Sequence, residues 1–310
     1  MKIEIRPLEE ADLEAAEHVC RLAFGTFFGL PDPVSFRGDG ALVRPRYLAD
    51  PSGVLVAETE DGIVGSGVVT SWGSVGLFGP LTVHPDRWSS GIGRRLSEAM
   101  LDLLDSRDHE FVGLLTHPQS TRHVRLYESF GFELQRPIAV LRRGVRPAAM
   151  PRRARVLTHL DDCAACREVS DTVRSGLDHT REIASVLRHG LGDTVLLARA
   201  DGREGLAGYA VCHHGAGTEG NSALLFVKAA AVRPGPDAAR DLGDLLSACE
   251  ALAARRDAGE IAAGTNTGRR EAYRILRERG YLSFMNAVAM LRPAGEGYGT
   301  PGVYAIDDWR

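Results

Sequence analysis

Apolar positions along this chain switch repeatedly between two periods, every second residue and every third or fourth. Residues 3–7 alternate and predict a strand. Residues 9–24 carry Leu13, Ala16, Val19, Cys20 and Ala23 on one face and predict a helix. An irregular stretch occupies 25–36, with Phe27, Phe28, Pro31 and Pro33. Two strands at 54–58 and 63–72 flank Asp61-Gly62, a hairpin signal. The next strand spans 75–83, and an amphipathic helix runs from 91 to 106. A strand at 111–116, a helix at 121–130 and an extended segment at 133–142 complete the series. That order predicts an α/β fold around a mixed sheet.

Residues 144–152, Gly-Val-Arg-Pro-Ala-Ala-Met-Pro-Arg, interrupt every period and read as a linker. The remainder of the chain repeats the first half. A strand at 155–157 and a helix at 161–173 come first. A hairpin at 194–200 and 205–212 turns at Asp201-Gly202. The strand at 223–232 ends in Val232-Arg233-Pro234, as the earlier one ends in Val83-His84-Pro85. A helix at 238–255, a strand at 261–265 and a helix at 271–281 match their first-half counterparts. Self-similarity at a spacing of about 150 residues predicts a tandem duplication. The expected units are 1–143, a linker at 144–154, a second unit at 155–293 and a C-terminal tail at 294–310.

The most informative chemistry lies where the strand at 75–83 leads through a polar loop into Gly91-Ile92-Gly93. Glycines at a helix start let a backbone approach a ligand closely, and the first amides of a helix lack partners within it. Together these suit a phosphate or pyrophosphate. A lone G-x-G also makes plain turns. Here it comes after Val83-His84-Pro85 and before Leu126-Tyr127-Glu128-Ser129-Phe130-Gly131-Phe132.

With these motifs the chain resembles the GNAT acyltransferase superfamily, whose members use acyl-coenzyme A. In that family a V-x-P strand end leads into [Q/R]-x-x-G-x-[G/A], and a later helix ends in Y-x-x-x-G-F. Residues 88–93 read W-S-S-G-I-G, so both glycines match and Trp88 stands at the Gln/Arg position. Ser120, seven residues before Tyr127, stands where the family usually has Asn. The resemblance covers residues 1–143 and, more faintly, the remainder. It implies two tandem GNAT-like domains, each a mixed, mostly antiparallel twisted sheet flanked by helices. It implies acetyl-CoA, or another acyl-CoA, as co-substrate. The coenzyme-binding residues it implies are Leu81, Thr82, Val83, Ser89, Ser90, Gly91, Ile92, Gly93, Arg94 and Ser120. Amides near Leu81 and Val83 would hold the pantetheine arm and polarise the thioester carbonyl. Tyr127 would give a proton to the leaving thiolate, the alternative being a half-buried packing aromatic beside Leu126 and Phe130.

Acyl transfer to an amine also needs the amine neutral. The strand at 74–83 holds no carboxylate. His117, at the end of its strand, is the expected proton acceptor, because an imidazole titrates near neutrality. His117-Pro118 also suits an ordinary strand exit. His123, Glu58, Asp32 and Asp39 are further candidates, and solvent alone is another. Phe27, Phe28 and Trp72, with the second half and the tail from Tyr304, are expected to wall an acceptor pocket. The predicted reaction is transfer of an acetyl or other short acyl group to a primary amine of a small molecule or protein. The alternative is a non-catalytic acyl-CoA sensor or interaction module. The second-half loop, residues 237–243, lacks paired glycines, and Leu276 stands where Tyr127 does, so the second unit is expected to be degenerate.

Composition narrows the classes. The chain has 310 residues, 44% hydrophobic and 25% charged, enough for two ordinary cores. A net charge of -4 gives no general attraction to nucleic acid or acidic membranes, so neither is expected as a partner. Basic charge is nearly all arginine, with Lys2 and Lys228 the only lysines. The first residues lack an apolar signal core, and no apolar run approaches the ~18 residues of a membrane span, so a cytoplasmic protein is expected. The oligomeric state is left as monomer or homodimer. Five cysteines make no even framework. Cys163-Ala-Ala-Cys166 lacks a second pair, and Cys212-His213-His214 points to opposite faces of a strand. No metal is expected.

Overall fold

A computed structural model describes residues 2–200 and 202–309. Asp201, half of the second predicted hairpin turn, and Arg310, at the end of the tail, lie outside the described residues. The first half runs β1 (Glu4–Pro7), α1 (Leu13–Phe27), α2 (Val43–Ala49), β2 (Val54–Thr59), β3 (Gly62–Trp72), β4 (Val75–Val83), α3 (Ile92–Asp105), β5 (Phe111–Thr116), α4 (Thr121–Glu128) and β6 (Glu133–Gly144). The second runs β7 (Ala154–Val156), α5 (Cys163–Val173), α6 (Thr180–His189), β8 (Gly192–Ala198), β9 (Leu206–His213), β10 (Leu224–Val232), α7 (Ala238–Arg255), β11 (Glu260–Asn266), α8 (Arg270–Glu278), β12 (Leu282–Arg292) and β13 (Ala305–Ile306).

The fold is mixed α/β, one large, mostly antiparallel sheet flanked by helices, in strand order 1-2-3-4-5-12-6-11-10-9-8-7. Only β4–β5 and β10–β11 pair in parallel among the described residues. The order contains an exchange that no local pattern foretold. The last long strand of the second half, β12, lies antiparallel on β5 of the first, Val288 opposite Thr116. The last strand of the first half, β6, lies on β11 of the second, Ala263 opposite Leu141. The two guest strands pair with each other in the middle. A core cluster unites Trp72, Leu77 and Phe111 of the first half with Leu177, Ala229, Ala289, Tyr298 and Trp309 of the second.

Two helices go beyond the sequence pattern. α2 is seven residues long with Pro45 in its first turn and two arginines, and its periodicity is too short to read. α6 buries only two large apolar side chains, Ile183 and Val186, together with Glu182 and Ser185. No described helix is long and apolar enough to cross a membrane. Cys166, Cys212 and Cys249 are buried free thiols, Cys163 is half-buried, and no metal-holding cluster of His, Cys, Asp and Glu occurs among the described residues.

Where the halves meet, charge is buried. Arg46 pairs with Glu219 at 2.8 Å, and Lys228 pairs with Glu182 at 2.9 Å and also with Glu219. Two imidazoles lie in the same interior. His179 meets the Tyr209 hydroxyl at 2.6 Å, and His213 accepts the Glu219 amide at 3.4 Å. Burial pushes each of them down to about 4.

Two expectations follow from this architecture. The unfolded chain protonates His179 and His213 near their ordinary value of 6.5, whereas the folded chain resists until about 4. The unfolded state therefore binds more protons in that window, and stability falls as pH drops from 6.5 towards 4. Each imidazole contributes up to about 1.4 kcal/mol per pH unit. Urea midpoints at pH 7, 6 and 5 should decline in that order; a flat series contradicts neutral burial. Separately, residues 1–150 expressed alone lose β12 from the side of β5 and both neighbours of β6, β11 and β12. They should aggregate or fail to melt cooperatively, and co-expression with 151–310 should restore a cooperative fold. Circular dichroism and size exclusion measure this, and a monomeric, cooperatively melting 1–150 overturns it.

Candidate active site

β4 and β5 pair only over Val75–Leu77 against Phe111–Gly113, and beyond that point they part. β4 remains attached on its other side to β3, with Gly65 opposite Val83 and Gly67 opposite Leu81. The hydrogen-bond direction along β4 is set at its end. The His84 amide donates to the Val64 carbonyl on β3 at 2.8 Å. Amides of an antiparallel strand alternate sides, so Thr82 also faces β3, while Leu81 and Val83 face the gap towards β5. Leu81 and Val83 amides have no acceptor among the described residues. Between these residues and the fork lies a bulge: Gly79 and Pro80 oppose the single residue Val68, with Gly79 at φ 124°. Thr82 turns its hydroxyl to Ser66 at 2.8 Å and is buried, so its side chain takes no part in the gap.

The loop after β4 is held by Trp88, whose indole N–H donates to the Val83 carbonyl at 2.8 Å. The residue at the family's Gln/Arg position is thus a backbone anchor at the mouth of the gap. Ser89 and Gly91 adopt left-handed conformations, φ 67° and 87°, and bring the chain into α3. The first bond within that helix runs from the Arg95 amide to the Gly91 carbonyl at 3.2 Å. The amides of Ile92, Gly93 and Arg94 therefore precede the helical ladder, where backbone donors and the helix dipole favour an anion. Ser89, Ser90 and Gly91 are exposed, and Ser90 bonds back to the Arg87 carbonyl. Ile92 is buried under Leu96 and anchors the helix. A Cβ on Gly91 would meet nothing within 4 Å, and one on Gly93 only Val83 at 3.8 Å. Protein packing does not demand glycine at 93; a ligand lying on the amides would. Arg94 reaches Ser129 at 3.0 Å and lies 5.1 Å from the Phe130 ring centroid, linking α3 to the end of α4.

Tyr127 projects from α4 to the fork. Its ring packs edge-on to Phe78, 5.6 Å between centroids, and Phe78 is the first β4 residue beyond the last paired position. Burial pushes its phenol well up, so it stays protonated at neutral pH. Its hydroxyl makes no hydrogen bond among the described residues and is not sealed from the surface. Ser120, the residue before α4, makes no side-chain cap bond, and its amide donates to the His117 carbonyl at 2.9 Å.

His117 stands just beyond β5, on the far side of the gap from Val83. Its ring lies 5.2 Å from Phe27 and 5.1 Å from Phe28. His123 sits 5.4 Å from Phe27 and 6.5 Å from Tyr127, so Phe27 lies between the two imidazoles. Burial lowers both below their ordinary value, and the buried His117 Nδ1 has no partner. The other candidates lie elsewhere. Glu58 pairs with Arg6 at 2.7 Å, Asp39 bonds Ser222, and Asp32 starts a short turn in which its backbone carbonyl accepts the Ser35 amide. Trp72 does not wall a pocket with Phe27 and Phe28. It is buried between the halves, its indole donating to Glu182 at 3.3 Å.

The second half shows what becomes of the same gap when it is closed. β10 and β11 pair over Leu224–Val227 and Glu260–Ala263, then part. The Arg233 amide donates to Ala207 at 2.8 Å, which sets the direction along β10 as His84 does along β4. Here the free edge is taken by the C-terminal tail. β13 pairs Ile306 with Ala230 and Ala305 with Ala231. The Val232 amide, counterpart of Val83, donates to the Tyr304 carbonyl at 3.0 Å. Arg269, just before α8, locks the tail through both oxygens of Asp307 at 3.0 and 3.1 Å. Leu276, at the Tyr127 position, is fully buried. The expectation that the tail walls an acceptor pocket is corrected: it fills the second gap.

Comparison with known proteins agrees with this fold. Residues 50–134 match the model of the acetyltransferase (GNAT) domain. No curated protein matches the chain in sequence. Among solved structures, the chain is similar to a putative acetyltransferase from Pyrococcus horikoshii, at 16% identity over 99% of this chain and 95% of that one, TM-score 0.72. It is also similar to a GCN5-related N-acetyltransferase from Sphaerobacter thermophilus, at 18% identity over 94% and 95%, TM-score 0.61. A tandem GNAT protein from the clavulanic acid biosynthesis pathway aligns at 15% identity over 95% and 99%, TM-score 0.58. Residues 50–134 thus match the GNAT acetyltransferase domain, and the chain as a whole shares its fold with GNAT N-acetyltransferases, a tandem GNAT protein among them.

Proposed function

We propose that the first half transfers an acetyl or other short acyl group from coenzyme A to a primary amine, by direct attack on the thioester. The observation that carries this reading is the contrast between Val83 and Val232. The same strand edge accepts the chain's own tail in one half and is left to a ligand in the other. A pantetheine arm carries amides that complete such an edge as a strand would. The diphosphate of the coenzyme suits the amides of Ile92, Gly93 and Arg94 at the start of α3.

The amine nitrogen attacks the thioester carbonyl, and negative charge develops on its oxygen. The unpaired amides of β4 are the donors for that oxygen. The C–S bond then breaks, and the Tyr127 hydroxyl supplies a proton to the thiolate. The proton leaving the amine passes to neutral His117, directly or through water, and both groups then re-equilibrate with solvent. The second half binds no coenzyme in this reading, because its strand edge is occupied and its Leu276 has no proton to give.

Tyr127→Phe removes only a hydroxyl that has no protein partner. The melting temperature and the acetyl-CoA dissociation constant should hold, while kcat falls roughly 100- to 10,000-fold. An unchanged kcat removes Tyr127 from the mechanism. Gly93→Val adds a side chain with only Val83 nearby, so the fold should survive. Acetyl-CoA affinity by calorimetry should weaken by at least an order of magnitude, about 1.4 kcal/mol. Equal affinity in that variant contradicts coenzyme binding at the start of α3.

A further inference from the structure

The two halves are joined by a chain of buried charge that begins on the bulge beside the proposed acyl site. Arg46, on α2, donates from Nη1 to the Gly79 carbonyl at 2.8 Å and from Nη2 to Glu219 at 2.8 Å. The other oxygen of Glu219 takes the Lys228 ammonium, and Lys228 also holds Glu182 at 2.9 Å. Glu182 in turn accepts the Trp72 indole at 3.3 Å, on the strand that pairs with β4. All five side chains are nearly inaccessible, and two cations balance two anions. Lys228 is one of only two lysines in the chain.

The placement of Lys228 gives the network its meaning. β10 bulges at this residue, the register passing from Val227 opposite Cys212 to Ala229 opposite Val211. Lys228 stands four residues before Val232, and Gly79 four before Val83. The chain of charge therefore runs from the bulge of one half to the bulge of the other. A glycine at φ 124° has little intrinsic preference for one direction of its carbonyl. The guanidinium supplies that preference, and its own direction is set by Glu219, held in turn by Lys228.

We propose that Arg46 is a positioning residue for acyl transfer, and that the second half acts on the acyl site through Glu219 and Lys228. By fixing the Gly79 carbonyl, the network fixes the bulge that aims the Leu81 amide into the gap. That amide is a donor for the thioester carbonyl in the reading given above, on which this inference rests. The degenerate half then has a task that needs neither coenzyme nor proton donor: it holds the oxyanion donor of its neighbour in register.

The test uses the full chain with [1-13C]acetyl-CoA as probe and reads the bound carbonyl carbon by NMR, with calorimetry for affinity. In the wild type the bound carbonyl should lie downfield of the free one, the signature of a polarised C=O. Arg46→Lys keeps the charge but cannot span Gly79 and Glu219 together. The double variant Lys228→Met, Glu182→Gln removes one cation and one anion and leaves Arg46–Glu219 as a neutral pair. Both should lose most of the downfield displacement with the dissociation constant unchanged. A merely structural network would lower the melting temperature and leave the bound carbonyl as in the wild type, and that result overturns the proposal. If the double variant does not fold, Arg46→Lys decides alone, and if neither folds the network is structural and the proposal fails. No binding of acetyl-CoA to the wild type would overturn the coenzyme reading and this inference with it. Normal binding with an undisplaced or unaltered carbonyl would overturn this inference only.

Discussion

A parallel strand pair that separates after three or four residues leaves backbone donors and acceptors facing nothing. Buried peptide groups without partners cost about 1–3 kcal/mol each, so such a fork must be filled, hydrated or bound. This chain contains the fork twice, and the two are resolved in opposite ways. In the second half the tail threads in as β13, and Arg269 with Asp307 fastens it. In the first half Leu81 and Val83 are half-buried and their amides have no protein acceptor among the described residues, with the Trp88 anchor at one end and Tyr127 at the other. The duplicated fold thus supplies its own control: the same edge shows what an occupant looks like and where one is lacking in protein.

The exchanged strands explain why a half without the motif chemistry still matters. β5, which forms one wall of the open fork, is held on its other side by β12 from the second half. Losing that strand would free β5 to drift, and the width of the fork would no longer be set. The ion chain from Gly79 to Lys228 adds a second tie at the other wall. Buried ion pairs of this kind contribute little net stability, because desolvation offsets much of the attraction. Their value lies in direction: a guanidinium shared between a carbonyl and a carboxylate tolerates few geometries.

Most elements were legible because they rest on local pattern. β4, α7 and β5 show alternation or a helical stripe, and the glycines at 91 and 93 announced an open helix start. What could not be read depends on partners far apart in sequence. The exchange of β6 and β12 leaves each strand's own pattern unchanged, since an apolar residue buries equally well against either half. The tail reads as an irregular end because two paired residues make β13, and its anchor is an arginine almost forty positions earlier. Arg46 sits in a seven-residue helix whose charges suggest a surface, and only its contacts reveal a buried one. Trp88 looked like a departure from the family pattern. Its indole bond to Val83 shows that the loop there is held by a side chain to a main-chain oxygen.

The acid and base of the proposed reaction share one physical cause. Tyr127 and His117 both sit against phenylalanine rings, at Phe78 and at Phe27 and Phe28. Desolvation disfavours the charged form of any group, so it raises a phenol and lowers an imidazole. The same apolar surroundings therefore hold the donor protonated and the acceptor unprotonated before the substrates meet. The proposed reaction needs no carboxylate to sort the two roles, which suits a β4 strand without one. The arrangement also limits the acceptor. An ammonium would enter a site whose imidazoles resist charge, so the amine is expected to shed its proton on the way in. In the proposed reaction, burial that prepares this acid and base is thus also the feature that selects the reactive, neutral form of the nucleophile.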